Sequence, residues 1–229
     1  MAPIATAQVG SMADATEINE ILNLMSAHDQ WQDRYLIEYE AFRKFYGANQ
    51  RFKMESVLEV KTVFRQPDTF RSEVIRSEGS KVIRERVFNK ILEAEQETQK
   101  KEARKEVRIA PSNYNFALLG KEDCEGRACY HLRITPRKAD KYSIDGQIWI
   151  DADEGAIIRV QGKPAKRPSF WTRNTEIERR YTRVEGVWLC SVMESVSDIL
   201  IGGRSTLKVE YTYVAVQTEA TLAREGRTP

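Results

Sequence analysis

The strongest constraint in this chain is a two-residue alternation held over long runs and broken only by short turns. Near the C-terminus, Leu207, Val209, Tyr211 and Tyr213 alternate with Lys208, Glu210, Thr212 and Val214. Side chains of an extended strand point to opposite faces with a period of two, so such a run predicts a strand with one apolar face. Tyr35, Ile37, Tyr39, Ala41 and Phe45 repeat the pattern from Tyr35 to Tyr46, interrupted by Arg43. Phe52, Met54, Leu58, Val60 and Phe64 share one face of a second run, and Thr69–Ser77 forms a third. The connections Gly47-Ala48-Asn49-Gln50 and Pro67-Asp68 are short. Short turns between consecutive strands predict an antiparallel meander.

The second half repeats this grammar. Tyr114–Leu119, Cys129–Thr135, Ser143–Asp151, Ala156–Gly162, Thr172–Val184, Val187–Leu200 and Arg204–Val216 read as strands. Around the turn Ala152-Asp153-Glu154-Gly155, Ile148 and Ile150 fall on one side of one arm, and Ala156, Ile158 and Val160 share a side of the other. The count is about 9–11 strands, enough to curl into a partial or closed barrel.

Two segments keep a helical period. Ile18, Ile21, Leu22 and Met25 form one apolar face over residues 14–29, with Asp14 and Glu17 as a capping box. Val82, Ile83, Val87, Phe88, Ile91 and Leu92 make a stripe that begins at residue 81. Beyond it, Glu93–Glu106 is polar and reads as a solvated helix end or a mobile loop.

Composition bounds the function. With 41% hydrophobic and 31% charged residues, the chain can bury a core and stay soluble. Its 36 basic residues nearly cancel 34 acidic ones, which argues against nucleic-acid binding by bulk charge. No apolar run approaches a membrane span. The small, Ala-rich residues 1–13 are expected to be a disordered tail or the remnant of a signal peptide, 14–216 one domain, and 217–229 a flexible tail.

Signs of catalysis are sparse. His28 and His131 are the two histidines, too few for a zinc site without other ligands nearby. The sequence holds no nucleophile elbow, phosphate loop or dinucleotide fingerprint. Cys124 and Cys129 flank a hairpin turn, which leaves open either a disulfide between them or free thiols. Cys190 reads as a small buried hydrophobe. Phe170 and Trp171 end a basic, Pro-bearing connection and are candidates for contact with a partner protein. What remains is an apolar concave surface, for which Ile18, Ile21, Leu22, Met25, Phe52, Met54, Leu58, Val60, Ile148, Ile150, Ile158 and Val160 are the lining candidates.

Three motifs, Gly126-Arg127-Ala128-Cys129-Tyr130, Gly146-Gln147-Ile148-Trp149-Ile150-Asp151 and the stretch from Gly162-Lys163-Pro164 to Phe170-Trp171, resemble outer membrane lipoprotein-sorting proteins of the LolA-like superfamily, in particular its uncharacterised bacterial members. The resemblance spans residues 14–216. It implies an α+β, mostly antiparallel fold, in which an unclosed half β-barrel wraps on helices around an apolar cavity. It further implies a periplasmic location and carriage of lipid or lipoprotein acyl chains, without catalysis or cofactor; the chain is expected to be a monomer and to hold no metal. The superfamily also includes sensor domains, so a sensor or protein-interaction module with an envelope protein partner is the alternative.

Overall fold

The computed structural model describes residues 12–98, 101–167 and 172–224. Helix α1 (Met12–Tyr35) leads into the strands β1 (Leu36–Asn49), β2 (Met54–Arg65) and β3 (Thr69–Gly79). A helical excursion follows: α2 (Lys81–Ile83), a π-helical stretch (Arg84–Phe88), α3 (Asn89–Thr98) and α4 (Lys101–Val107). The second meander comprises β4 (Tyr114–Asp123), β5 (Ala128–Pro136), β6 (Ile144–Asp151), β7 (Ile157–Pro164), β8 (Thr172–Val184), β9 (Val187–Ile199) and β10 (Gly203–Thr218), closed by α5 (Glu219–Arg224).

All ten strands join one sheet in the order β3-β2-β1-β10-β9-β8-β7-β6-β5-β4. Neighbours are antiparallel throughout, and the two meanders meet where β1 pairs with β10. The edges β3 and β4 do not pair, so the barrel is open. The chain passes from one edge to the other through α2–α4, which places the helical excursion across the opening. The expected half-barrel of about 9–11 strands is therefore the fold.

A glycine pair allows the curl. Gly146 and Gly162 face each other across β6 and β7. A methyl on Gly162 would stand 2.6 Å from the Asp145 carbonyl oxygen, and one on Gly146 closer still to that of Gln161. Only a residue without Cβ permits strands to approach this closely.

The helices attach by different means. Helix α1 runs to Tyr35, six residues past its expected end, and stacks Trp31 on Tyr35 at 4.6 Å. It buries Ile21 and Met25 among Tyr114, Leu132, Ile134, Ile144, Ile148, Ile150 and Val160. At the other flank, Ser80 caps α2 by accepting from the Ile83 amide. The π stretch then brings Ile83 and Phe88, five residues apart, onto one face, since five residues make slightly more than one π turn. Both sit over Gly47, where a methyl would lie 2.8 Å from Ile83 and 3.0 Å from Phe88. Val82, expected on the apolar stripe, is turned outward and is 47% exposed. A regular α-helix would have kept it closer to the face; the π turn shifts the register. Residues 101–107, expected as a solvated end or loop, are helical, and so are 219–224, where Leu222 is buried.

Candidate functional site

One cross-strand row organises the inner face. Successive register partners are Leu118, Leu132, Ile148, Val160, Arg179, Met193, Val209, Phe45, Leu58 and Ser77. The row crosses every strand and contains a single charge, Arg179. On both sides of its centre the row is sealed, with Leu132, Ile148, Val209 and Phe45 0% exposed and Val160 and Leu58 1%, while its edge-strand ends Leu118 and Ser77 are half-buried and exposed, respectively. Its centre on β8 and β9 is not, because Arg179 and Met193 keep partial exposure. The same holds for their inner-face neighbours Ile177, Tyr181, Cys190 and Tyr211. One core lies under α1, with Ile177 and Tyr181 packed half-buried against its edge, and another under α2 and the π stretch, with Met193 and Tyr211 at its edge; these half-covered residues form the strip where the two cores meet.

The lining candidates divide accordingly. Ile21, Met25, Ile148, Ile150 and Val160 are core residues of the α1 flank, with Leu22 packed against them. Leu58 and Val60 belong to the other core, with Met54 beside them. Ile18 is only half-buried. Two expectations are corrected. Phe52 sits in the β1–β2 turn, 52% exposed, because the chain leaves the strand pattern there before β2 begins at Met54. Ile158 gives way to Ile157, because a register shift between Trp149 and Ile150 sets Ile150 opposite Ile157. Phe170 and Trp171 lie outside the described residues.

Alternation alone missed the polar members of the strip. Arg43, read as an interruption, is an inner-face residue of β1 and 2% exposed. Its guanidinium donates to both carboxylate oxygens of Glu95 on α3 at 2.8 Å and to Ser72 Oγ at 3.1 Å. It also lies 5.2 Å from the Phe45 ring centroid. Its Nε has no partner. Around it stand Tyr39, Tyr211 and Tyr213, whose phenol pKa values are all raised, first by desolvation; Tyr39 reaches about 12. Burial likewise pushes the Cys190 thiol up to about 11. At neutral pH these groups are neutral hydrogen-bonding partners, not bases or nucleophiles.

The outer face is polar and largely self-paired. Two depressions of about 350 Å³ and about 420 Å³ share Gln161 and Glu176. Ion pairs Arg159–Glu178 and Arg180–Glu194 brace this side, both at 3.0 Å. Further along, His131 stacks on Trp149 at 4.4 Å, and Glu122 accepts from the Trp149 indole at 2.9 Å. His131 is thus packed in place, His28 is buried beside Trp31 at 5.4 Å, and no group of three or more His, Cys, Asp or Glu among the described residues is arranged to hold a metal. Cys124 and Cys129 stand as free thiols beside each other across the hairpin. Desolvation first, then the contact with Cys124, raises the Cys129 thiol pKa. No helix among the described residues is long and apolar enough to cross a membrane.

The family described as a family of unknown function, DUF5686, matches residues 38–220, from β1 into α5. The chain belongs to this family. No curated protein matches it. Among solved structures it is similar to a putative outer membrane lipoprotein-sorting protein domain from Vibrio parahaemolyticus, 13% identical over 87% of this chain and 91% of that one, at TM-score 0.47. It is also similar to a LolA superfamily protein from Nitrosomonas europaea, 9% identical over 87% and 92%, at TM-score 0.44. A DUF1329 family protein from Desulfovibrio piger is 14% identical over 92% and 99%, at TM-score 0.44. The expected resemblance to LolA-like proteins is thus met among solved structures.

Proposed function

We propose that this chain is a non-catalytic periplasmic carrier that holds lipid or lipoprotein acyl chains against the half-covered strip of its inner face. The observation that carries this reading is the contrast in exposure along one row. The row is sealed on both sides of its centre, while Met193 and its neighbours on β8 and β9 are partly open. An acyl chain laid on that strip gains about 0.8 kcal/mol for each CH₂ removed from water, so no reactive group is needed to retain it. Neutral phenols and a neutral thiol on the strip suit holding better than acid–base chemistry.

In this reading α3 is the moving cover. It buries no residue of its own and is tied to the sheet by the Arg43–Glu95 pair. Helix α1, which seals Ile21 and Met25, stays in place. Loss of the pair frees α3 to swing about the π stretch, and the cargo leaves without covalent chemistry. Native mass spectrometry of the protein purified from its own envelope, with lipid extraction of the same sample, tests the reading. A stoichiometric acyl species supports it. A protein that stays empty, and that takes up no acyl chain when offered one, removes it.

A protein-interaction role gains support from the turn end of the sheet. Phe52, Leu200 and Ile201 are 52%, 39% and 61% exposed. Their two turns are tied together by Gln50 N–H to the Arg204 carbonyl and by the Asn49 amide to the Gly202 carbonyl. This apolar tip joins Phe170 and Trp171 as a proposed contact for an envelope partner. Loss of partner capture in Phe52→Ser/Ile201→Ser, with acyl binding intact, would separate this role from carriage.

A further inference from the structure

We propose that Arg179 is the seat of an anionic headgroup, so that the cargo is a negatively charged amphiphile with its charged end held inside the half-barrel. This rests on the carrier reading above and narrows the class of cargo.

The argument starts from position. Arg179 occupies the centre of a row whose other nine members carry no charge, with Val160 on one side and Met193 on the other. A guanidinium set among apolar side chains is costly unless a counter-charge accompanies it. The nearby inner arginine, Arg43, has that partner in Glu95. Arg179 forms no such ion pair among the described residues: the groups that act on it most are Tyr181, Cys190 and Tyr211, with Glu95 and Asp29 reaching those neighbours from farther out. Burial keeps all three neutral, as their raised pKa values show. Neutral dipoles can accept from some of the guanidinium N–H groups, but they leave its charge unbalanced.

The chemistry of the vacant partner follows. A guanidinium is planar and presents parallel N–H donors that fit the two oxygens of a carboxylate or a phosphate. The phenols of Tyr181 and Tyr211 add O–H donors on the same side of the strip. Ile177 and Met193 lie beside Arg179 on this face, and both are partly open. They offer an apolar bed for the attached chain along β8 and β9. A fatty acid and a monoacyl phosphate share this chemistry, a single acyl chain ending in oxygens that carry negative charge.

Displacement of a neutral fluorescent apolar reporter from the full chain tests the seat. The competitors are a long-chain fatty acid, the fatty alcohol of equal length, a monoacylglycerol phosphate and inorganic phosphate. The wild-type protein is expected to prefer the acid over the alcohol by roughly tenfold or more, the worth of a charge-assisted hydrogen bond. Arg179→Met should lose that preference while still binding the alcohol. A monoacyl phosphate that competes better than the acid would assign the seat to a phosphate headgroup, and the reverse to a carboxylate. Inorganic phosphate alone should displace nothing. Equal binding of acid and alcohol by the wild-type protein overturns the seat and leaves the carrier reading standing, and this comparison does not depend on any variant folding. An acid preference that survives in a folded Arg179→Met also overturns it. If neither acid nor alcohol displaces the reporter, the carrier reading fails and the seat with it.

Discussion

The two helical covers of this half-barrel are held by opposite physics. Helix α1 is fixed by apolar burial: Ile21 and Met25, 2% and 0% exposed, plug into the β4–β7 core. Gln32 adds hydrogen bonds to both the carbonyl and the amide of Trp188. Helix α3 has no buried residue and is held by polar links, Glu95 to Arg43 and Glu97 to the Tyr142 hydroxyl. Its N-terminal root is anchored in a core through Ile83 and Phe88, and its own Ile91 and Leu92 pack half-buried against the side of that core. Apolar burial cannot be switched without unfolding, whereas an ion pair can be outcompeted locally. In the proposed function, this difference is what would let α1 serve as a fixed wall and α3 as a moving cover.

The largest expected effects lie in the two anchors. Phe88→Ala should lower global stability by about 3–5 kcal/mol and Met25→Ala by about 2–5 kcal/mol, read from urea unfolding. A cost for Leu92→Ala on α3 as large as that for Met25→Ala would break the comparison, because Leu92 only packs against its core from the side.

Next comes a pH effect confined to the fixed wall. Desolvation pushes the Asp29 carboxyl of α1 up to about 6, against the opposing pull of Arg108. The folded state then binds its proton more tightly than the unfolded chain, so this contribution is complete below about pH 4 and is lost as pH rises through about 6. Full conversion would be no more than ~3 kcal/mol, and less where water reaches the side chain. Asp29→Asn should flatten that slope and raise stability at neutral pH. His28 works in the other direction: desolvation lowers its pKa, so its contribution is present above about pH 6.5 and is lost on acidification. Stability curves of the two single variants, measured across this range, should tilt oppositely.

The cover responds to a smaller change. Glu95→Gln should cost about 1–3 kcal/mol, below the value for a fully buried pair because Glu95 is 23% exposed. Its signature is faster amide exchange in α3 with α1 unchanged. Faster exchange in both helices would mean that the covers are one unit. The smallest effect tests the π register: Val82→Ser should shift stability by no more than ~0.5 kcal/mol, whereas Ile83→Ala should cost about 2–5 kcal/mol. Similar costs for the two would restore the regular helix.

Much of this architecture is legible in the sequence. Alternation located the strands, and Thr172–Val184 matches β8 end to end. What alternation hides is equally specific. Trp31 and Tyr35 extend α1, yet Tyr35 reads as the first residue of a strand, since aromatic residues suit either state when packed. Phe52 and Ile158 were misplaced because a turn and a bulge each shift the two-residue period. Arg43 and Arg179, on which the proposed cover and the proposed seat rest, carry the least sequence signal. A charge at an inner position looks like a break in the pattern until its register partners across the sheet are known. The π stretch leaves no mark on hydrophobic spacing beyond the outward turn of one valine.

The central claim is that cargo lies on the open strip and not in either sealed core, and two methionines report on it directly. Met193 lies on the strip and Met25 at 0% exposure in the α1 core. Methyl NMR of methionine-labelled protein titrated with a long-chain fatty acid should move the Met193 resonance in a saturable way and leave that of Met25 in place. A titration that moves Met25 while Met193 stays unchanged, or that moves neither, would contradict the account.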